Sequence, residues 1–298
     1  MMRVFVTGAS GWIGSATVDE LLAGGHEVVG LARSDAAAEA LQRKGASVLR
    51  GDLDDPAALR RGAEDAEGVV HLANKHDWSR PEETNRAERA AVQALAEALE
   101  GSDRPLAVAS GVAGLATGRP ALESDRSPAV GPESMRGGTE NLALDFADRG
   151  VRAVSLRFAP TVHGIGDHGF IALLAAAARR AGVSSFTGDG ANAWSAVHRS
   201  DAARLVRLGL ERAPAGSRLH AVAEEGVPTK VIAEALGRAL GLPVDSITAQ
   251  EAVERAGFVG MFWGADVRAS SAATQALLGW SPTGPTLLED IAAGGYPA

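Results

Sequence analysis

The chain of 298 residues contains no cysteine. That absence excludes disulfides, thiolate metal sites and a cysteine nucleophile, and it fits a reducing, cytoplasmic setting. Tyrosine occurs once, at Tyr296 beside the C-terminus, and lysine three times, at Lys44, Lys75 and Lys230. A phenolic proton donor would have to come from the end of the chain. No apolar run approaches the roughly 18 residues needed to cross a bilayer, and no apolar signal segment precedes the first strand, so no membrane partner is expected. A net charge of −8 argues against a clustered basic face and hence against a nucleic-acid partner. Aromatic residues make up only 4%. What is present suffices for a core, since 46% of the residues are hydrophobic. A single core rarely outgrows about 250–300 residues, so one large domain, or a large one with a smaller cap, is expected. Plentiful alanine, arginine and glycine beside so little lysine resembles the composition of a high-GC, actinobacterial coding sequence.

Strand and helix patterns alternate through the first half. Short β-branched or aromatic runs at Arg3–Thr7, Glu27–Ala32, Ser47–Leu49, Gly68–Leu72, Leu106–Ala109 and Val151–Phe158 read as strands. Helical spacing marks Trp12–Ala23, Asp35–Lys44, the stretch 56–63, Pro81–Glu100 and Glu133–Asp148. Asp55-Pro56 supplies an N-cap and a first-turn proline. The alternation predicts an α/β fold, a doubly wound parallel sheet with helices on both faces. After Pro160 the rhythm changes. Gly164–Gly169 is a glycine-rich loop, Ile171–Ala181, Asp201–Arg212 and Thr229–Leu240 are helical, Ser184–Trp194 is irregular, and Arg218–Val222 is a returning strand. Residues 1–160 therefore read as the nucleotide-binding domain, with 196–222 returning to its sheet. Residues 161–195 and 223–298 read as a discontinuous substrate cap.

The strongest chemical signal is Thr7-Gly8-Ala9-Ser10-Gly11-Trp12-Ile13-Gly14, placed between the first strand and the first helix. Glycines at 8, 11 and 14 permit a tight turn and close approach of a pyrophosphate, which the following helix N-terminus attracts. This is the dinucleotide-binding arrangement of a Rossmann domain. At the end of the second strand an NAD site would place an acid. Arg33-Ser34 stand there instead, which favours NADP(H) over NAD(H) through pairing with a 2′-phosphate. Asp35 is the competing residue, or else the N-cap of the next helix.

In order along nearly the whole chain, these stretches resemble the extended short-chain dehydrogenase/reductases, the epimerase/dehydratase-like branch. Thr7–Gly14 resembles that family's phosphate loop. Gly51-Asp52-Leu53 resembles its adenine-contacting turn, and Leu72-Ala73-Asn74, after His71, the stretch lining the cofactor. Arg157–Gly164, with Pro160 and Val162, is similar to the segment that packs on the nicotinamide. Val197–Asp201 and Leu278–Pro282 also have counterparts. The resemblance implies cofactor contacts from Gly8, Ser10, Gly11, Trp12, Ile13 and Gly14, besides these. It also implies a catalytic tyrosine with a lysine four residues later, and here the chain departs. The stretch Glu133-Ser134-Met135-Arg136-Gly137-Gly138-Thr139-Glu140 puts Arg136 at the tyrosine's position and Glu140 at the lysine's. Ser110 falls near the family's catalytic serine or threonine.

Three routes to a proton remain. Ser110, His163 or His76 could donate it; Arg136 could stabilise the oxyanion as a fixed charge; or a substrate phenol beside the ketone could supply it, with water completing the transfer. The last asks least of the protein. His163 follows Val162 in the nicotinamide segment and is a candidate or a packing residue. His198 with Asp201 reads as a structural pair, and no metal site is expected. His76 and Trp78, with Trp194, Phe258, Met261, Phe262 and Trp263, could line an apolar pocket for an aromatic ligand, although core packing competes for at least half of the cap aromatics. The leading expectation is an NADPH-dependent ketoreductase of an aromatic polyketide, of angucyclinone type, such as antibiotic biosynthesis uses. An epimerase, dehydratase or cyclase, and a redox-sensing NADP-binding regulator, are the alternatives. A homodimer through the helices near 81–100 and 133–148 is implied only by the resemblance.

Overall fold

The computed structural model describes residues 1–75, 77 and 79–296. His76 and Trp78 lie outside the described residues. The first half alternates strand and helix: β1 (Arg3–Thr7), α1 (Trp12–Ala23), β2 (Glu27–Ala32), α2 (Asp35–Arg43), β3 (Ser47–Arg50), α3 (Pro56–Glu64), β4 (Gly68–His71), α4 (Pro81–Ala98), β5 (Pro105–Gly111), α5 (Thr139–Asp145) and β6 (Arg152–Phe158). The second half contains β7 (Thr161–His163), α6 (Phe170–Ala181), β8 (Ser184–Thr187), β9 (Ala193–His198), α7 (Arg199–Arg212), β10 (Arg218–Ala221), β11 (Glu224–Pro228), α8 (Thr229–Leu240), β12 (Val244–Ile247), α9 (Ala249–Ala256), α10 (Phe258–Trp263), α11 (Ala272–Leu278) and α12 (Leu287–Ala292).

Seven strands form one sheet in the order β3-β2-β1-β4-β5-β6-β10, and every pairing in it is parallel. A parallel sheet is covered on both faces, so its strands are apolar throughout rather than alternating. In β1, Val4 and Val6 enter one hydrophobic cluster while Phe5 between them enters the other. The strand order reverses between β1 and β4, which opens a crevice at the carboxyl ends of the strands.

Local chemistry sets the helix starts. Asp55 caps α3 by accepting from the Ala58 N–H at 3.0 Å, with Pro56 in the first turn. Ser34, not Asp35, caps α2 by accepting from the Ala37 N–H, and Asp35 pairs instead with Arg50.

Two regions differ from the sequence-based expectation. The helix expected over Glu133–Asp148 begins only at Thr139, because Arg136, Gly137 and Gly138 all have left-handed backbones, with φ of 55°, 62° and 62°. A right-handed helix cannot continue through them. The stretch expected to be irregular, Ser184–Trp194, contains β8 and the start of β9. β9 joins β7 and β11 in a three-stranded sheet, and β8 pairs with β12, so of residues 196–222 only β10 returns to the main sheet.

Candidate active site

The loop between β1 and α1 needs each of its glycines for a separate reason. Gly8 has φ +67°, and a Cβ there would lie 2.7 Å from the backbone of Leu72 and Ala73. A Cβ at Gly11 would come within 3.1 Å of the Gly8 carbonyl oxygen, and one at Gly14 within 2.0 Å. The Gly11 N–H donates to that same carbonyl at 2.9 Å, closing the turn. No side chain caps α1, and its first turn carries no acid. The leading N–H groups of α1 are therefore offered to an anion together with the positive end of the helix dipole. This cradle, which a Cβ would fill, fits the diphosphate of a dinucleotide. Ser10 lies exposed at its rim, and Ile13 is half-buried.

Where the resemblance puts the adenosine, Leu53 is buried and Asp52 accepts from the Asp54 N–H at 3.1 Å. Arg33 is exposed and makes no ion pair among the described residues. Ser34 is occupied in capping α2, and Arg50 stands on the neighbouring strand, opposite Ala32 in register. At the other end, the Trp12 indole N–H donates to the Val162 carbonyl at 2.7 Å, tying the phosphate loop to the segment carrying Pro160. The Arg199 guanidinium lies 4.2 Å over the Trp12 ring. Leu72 and Ala73 pass directly under Gly8, and Asn74 donates to Glu88 at 2.6 Å.

Where the resemblance places a tyrosine and a lysine, the structure has two ion pairs. Arg136 donates to Glu88 of α4 through Nε, at 3.0 Å, and through Nη2. Glu88 is fully buried, whereas the Arg136 side chain remains 33% exposed, so the carboxylate lies inside and the guanidinium reaches the surface. Burial pushes the Glu88 carboxyl up, against the pull of Arg136 and Asn74. Glu140 turns the other way. It accepts from Arg157 of β6 at 2.6 Å, and Arg157 also donates to the Asp125 carbonyl at 2.8 Å. Burial would raise the Glu140 carboxyl, but Arg157 outweighs it, the Ser110 hydroxyl adds to the lowering, and the net direction is down. Glu140 and Arg157 are both buried; they brace the sheet rather than meet a ligand. Ser110 is half-buried at the end of β5, in register with Arg157.

His163 is a correction. It is fully buried and bonded through Nδ1 to Asp290 of α12 at 2.6 Å, so it presents no surface to a substrate. The expected His198–Asp201 pair does not form: His198 bonds Ser200 at 2.7 Å, and the Asp201 carboxylate accepts the N–H groups of Thr283 and Gly284. Trp194 and Trp263 are also corrected from pocket to core. Their rings pack perpendicular at 4.9 Å, both are buried, and their indole N–H groups donate to the carbonyls of Ala265 and Ser185. Phe258 and Phe262 stay half-buried, 5.0 Å apart, and Phe170 joins them at 6.3 Å from Phe258. Met261 beside them is 64% exposed.

Sequence reasoning missed two residues here. Glu88 left a signal, an acid on the stripe that α4 shares with Ala91, Val92 and Leu95. Phe170 left a weaker one, an aromatic closing the glycine-rich loop.

A family model described as the NAD dependent epimerase/dehydratase family matches residues 4–222. An uncharacterized protein of Schizosaccharomyces pombe is 44% identical over 99% of this chain and 100% of its own length. A 4-hydroxy-2-methyl-3-oxo-4-farnesyl-3,4-dihydroquinoline-1-oxide ketoreductase of Stigmatella aurantiaca is 30% identical over 72% of this chain and 66% of its own. Among solved structures, the dTDP-glucose 4,6-dehydratase DesIV of Streptomyces venezuelae, with NAD and TYD bound, superposes with a TM-score of 0.77 at 22% identity, covering 99% of this chain and 96% of that one. That likeness shows the fold.

Proposed function

Since the chain belongs to the NAD-dependent epimerase/dehydratase family, we propose that it is an NADPH-dependent reductase of ketones carrying an acidic hydroxyl beside the carbonyl, on an aromatic or otherwise hydrophobic framework. One observation carries the reading. At the position where the resemblance puts a proton-donating phenol stands Arg136, a cation that does not give up its proton, joined through Glu88 to Asn74 of the stretch beneath the phosphate loop. When bound, the reduced nicotinamide supplies a hydride. The chain's own residues then orient the ketone and meet the charge that grows on its oxygen. Among the described residues Arg136 bonds through Nε and Nη2 and not through Nη1, which is the arm left for this; donors fixed toward a developing oxyanion are among the largest catalytic terms. The proton for that oxygen comes from the substrate's neighbouring hydroxyl, and water restores it.

Three further features support the reading. Phe170, Phe258, Phe262 and Met261 offer a partly open apolar wall. Arg33 and Arg50, on adjoining strand ends, suit a 2′-phosphate and so NADP(H). The related ketoreductase is named for a substrate with a 3-oxo group beside a 4-hydroxy group on a 3,4-dihydroquinoline; that hydroxyl is a tertiary alcohol, so the name supports reduction of a hydroxy ketone on a hydrophobic framework and not the acidity of the hydroxyl. A relative spanning the whole chain occurs in a yeast, so the substrate is better defined by this chemistry than by an antibiotic pathway. The test mixes protein and NADPH with ortho- and peri-hydroxyaryl ketones, angucyclinones included, and with their O-methyl ethers, following loss of the reduced cofactor's absorbance. Turnover of the free hydroxy ketones and not of the ethers is expected. No turnover with any of them refutes the proposal, and equal turnover of the ethers refutes the substrate as proton source.

A further inference from the structure

We infer that Glu88 is the positioning residue for Arg136, and that one face of α4 is built to hold this arginine in place. The inference rests on the reductase reading. Three residues of α4 at helical spacing reach the same turn. Asn85 donates from Nδ2 to the Ser134 carbonyl at 3.2 Å, Glu88 takes two bonds from Arg136, and Arg89 donates from Nη1 to the Gly137 carbonyl at 2.7 Å. The turn is pinned on both sides of Arg136 as well as at its side chain.

The pinned backbone is an unfavourable one. Arg136 has φ 55°, a region costly for a residue with a Cβ, and such strain persists only where the surroundings over-determine it. Gly137 shares the conformation, and a Cβ there would meet the Asn85 carbonyl oxygen at 2.6 Å, so the turn and α4 are in close backbone contact. A surface ion pair would need none of this. Glu88 is fully buried on the apolar face of a helix, where a lone carboxylate is expensive. It is satisfied by Arg136 on one oxygen and Asn74 on the other. Asn74 closes the stretch that runs under the phosphate loop, so Glu88 links the guanidinium to the cradle itself. The bonds consume Nε and Nη2 of Arg136 and leave Nη1 without a hydrogen bond among the described residues. The left-handed turn, the buried carboxylate and the asparagine together fix which arm of the guanidinium remains available.

The test uses the whole protein with Arg136→Gly, Glu88→Gln and the double variant. Glycine accepts the left-handed backbone, so Arg136→Gly removes the side chain without adding strain. Guanidinium ion at low millimolar concentration should then raise the melting temperature of Arg136→Gly, relative to equal sodium chloride, by refilling the vacated place against Glu88. The double variant should show no such rise. With a ketone turned over by the wild type, Glu88→Gln should lower kcat up to about 100-fold, as a misplacement of a catalytic group by roughly 1 Å does, with KM and the NADPH dissociation constant little changed. Guanidinium should restore turnover to Arg136→Gly alone. Equal melting responses in the single and double variants, or an unchanged kcat in Glu88→Gln, would overturn the inference. Absence of turnover in the wild type would instead refute the reductase reading, and the melting experiment would still decide whether Glu88 holds the guanidinium.

Discussion

The buried pair between Glu140 and Arg157 permits a quantitative test of the claim that the lysine's place has become structural. Replacing Arg157 with methionine leaves Glu140, 4% exposed, without its hydrogen-bonded cation, with only Arg218 remaining at 3.7 Å; removing one partner of a buried pair costs about 3–5 kcal/mol, of which Arg218 offsets a part. The same change frees His220, 3.3 Å from Arg157 Nη1, and the Asp125 carbonyl, 2.8 Å from Nη2, each worth about 1 kcal/mol. Glu140→Leu alone exposes the complementary fault, an unpaired buried guanidinium. The double replacement removes both charges and should cost only the lost neutral bonds, roughly 1–3 kcal/mol, giving a coupling of at least about 2 kcal/mol in a double-mutant cycle. Urea unfolding followed by circular dichroism measures all four proteins. NADPH titration runs beside it, because Glu140 faces the sheet and Glu140→Gln should change the dissociation constant by less than about threefold, under 1 kcal/mol. Single replacements costing less than about 1 kcal/mol, or Glu140→Gln weakening NADPH binding tenfold in a protein of undiminished stability, would refute the assignment.

Other outcomes follow from the same geometry. Gly14→Ala puts a Cβ 2.0 Å from the Gly8 carbonyl, so NADPH binding should fall at least about 100-fold, nearly 3 kcal/mol, in fluorescence titration; ordinary affinity would show that the loop does not hold the diphosphate. His71, buried and also repelled by Arg136, has its pKa lowered from 6.5 to about 3. The unfolded chain therefore takes up this proton at higher pH than the folded one. The stability from His71 is complete above pH 6.5 and declines as pH falls toward 3, by about 1.4 kcal/mol per unit. His71→Asn should flatten that slope, and an unaltered pH–stability curve would contradict it. Installing the family's residues as Arg136→Tyr with Glu140→Lys should yield no gain in ketone reduction. The left-handed backbone at Arg136 mis-aims the phenol, and a lysine at 140 would face Arg157; a gain in kcat would show that the segment can adopt the family's helix.

The strands of the parallel sheet and the phosphate loop were legible because their causes are local. Buried parallel strands leave continuous apolar runs, and the glycines at 11 and 14 follow from contact with the Gly8 carbonyl a few residues away, while Gly8 itself also abuts Leu72 and Ala73 at the end of the distant fourth strand. Asp55-Pro56 announced α3 by the same local logic. The helix over 133–148 was misjudged because its break comes from a turn pinned by Asn85 and Arg89 some 48 residues away. His163 read as a candidate because its partner Asp290 lies 127 positions further on. Trp194 and Trp263 read as pocket residues because aromatic spacing does not reveal which rings pack face to edge in the core. Of the candidate site, the cradle was readable, whereas the pairing of Arg136 with Glu88 depends on tertiary contacts.

The most direct measurement is calorimetric titration of the purified protein with NADPH, NADP+ and NADH, with Gly14→Ala as the control. One NADPH should bind per chain with a dissociation constant in the micromolar range common for substrates and cofactors, roughly 1–100 μM, more tightly than NADH, and the control should bind at least about 100-fold more weakly. Failure of the wild-type protein to take up any nicotinamide dinucleotide would contradict the claim that the turn from Gly8 to Gly14 holds one.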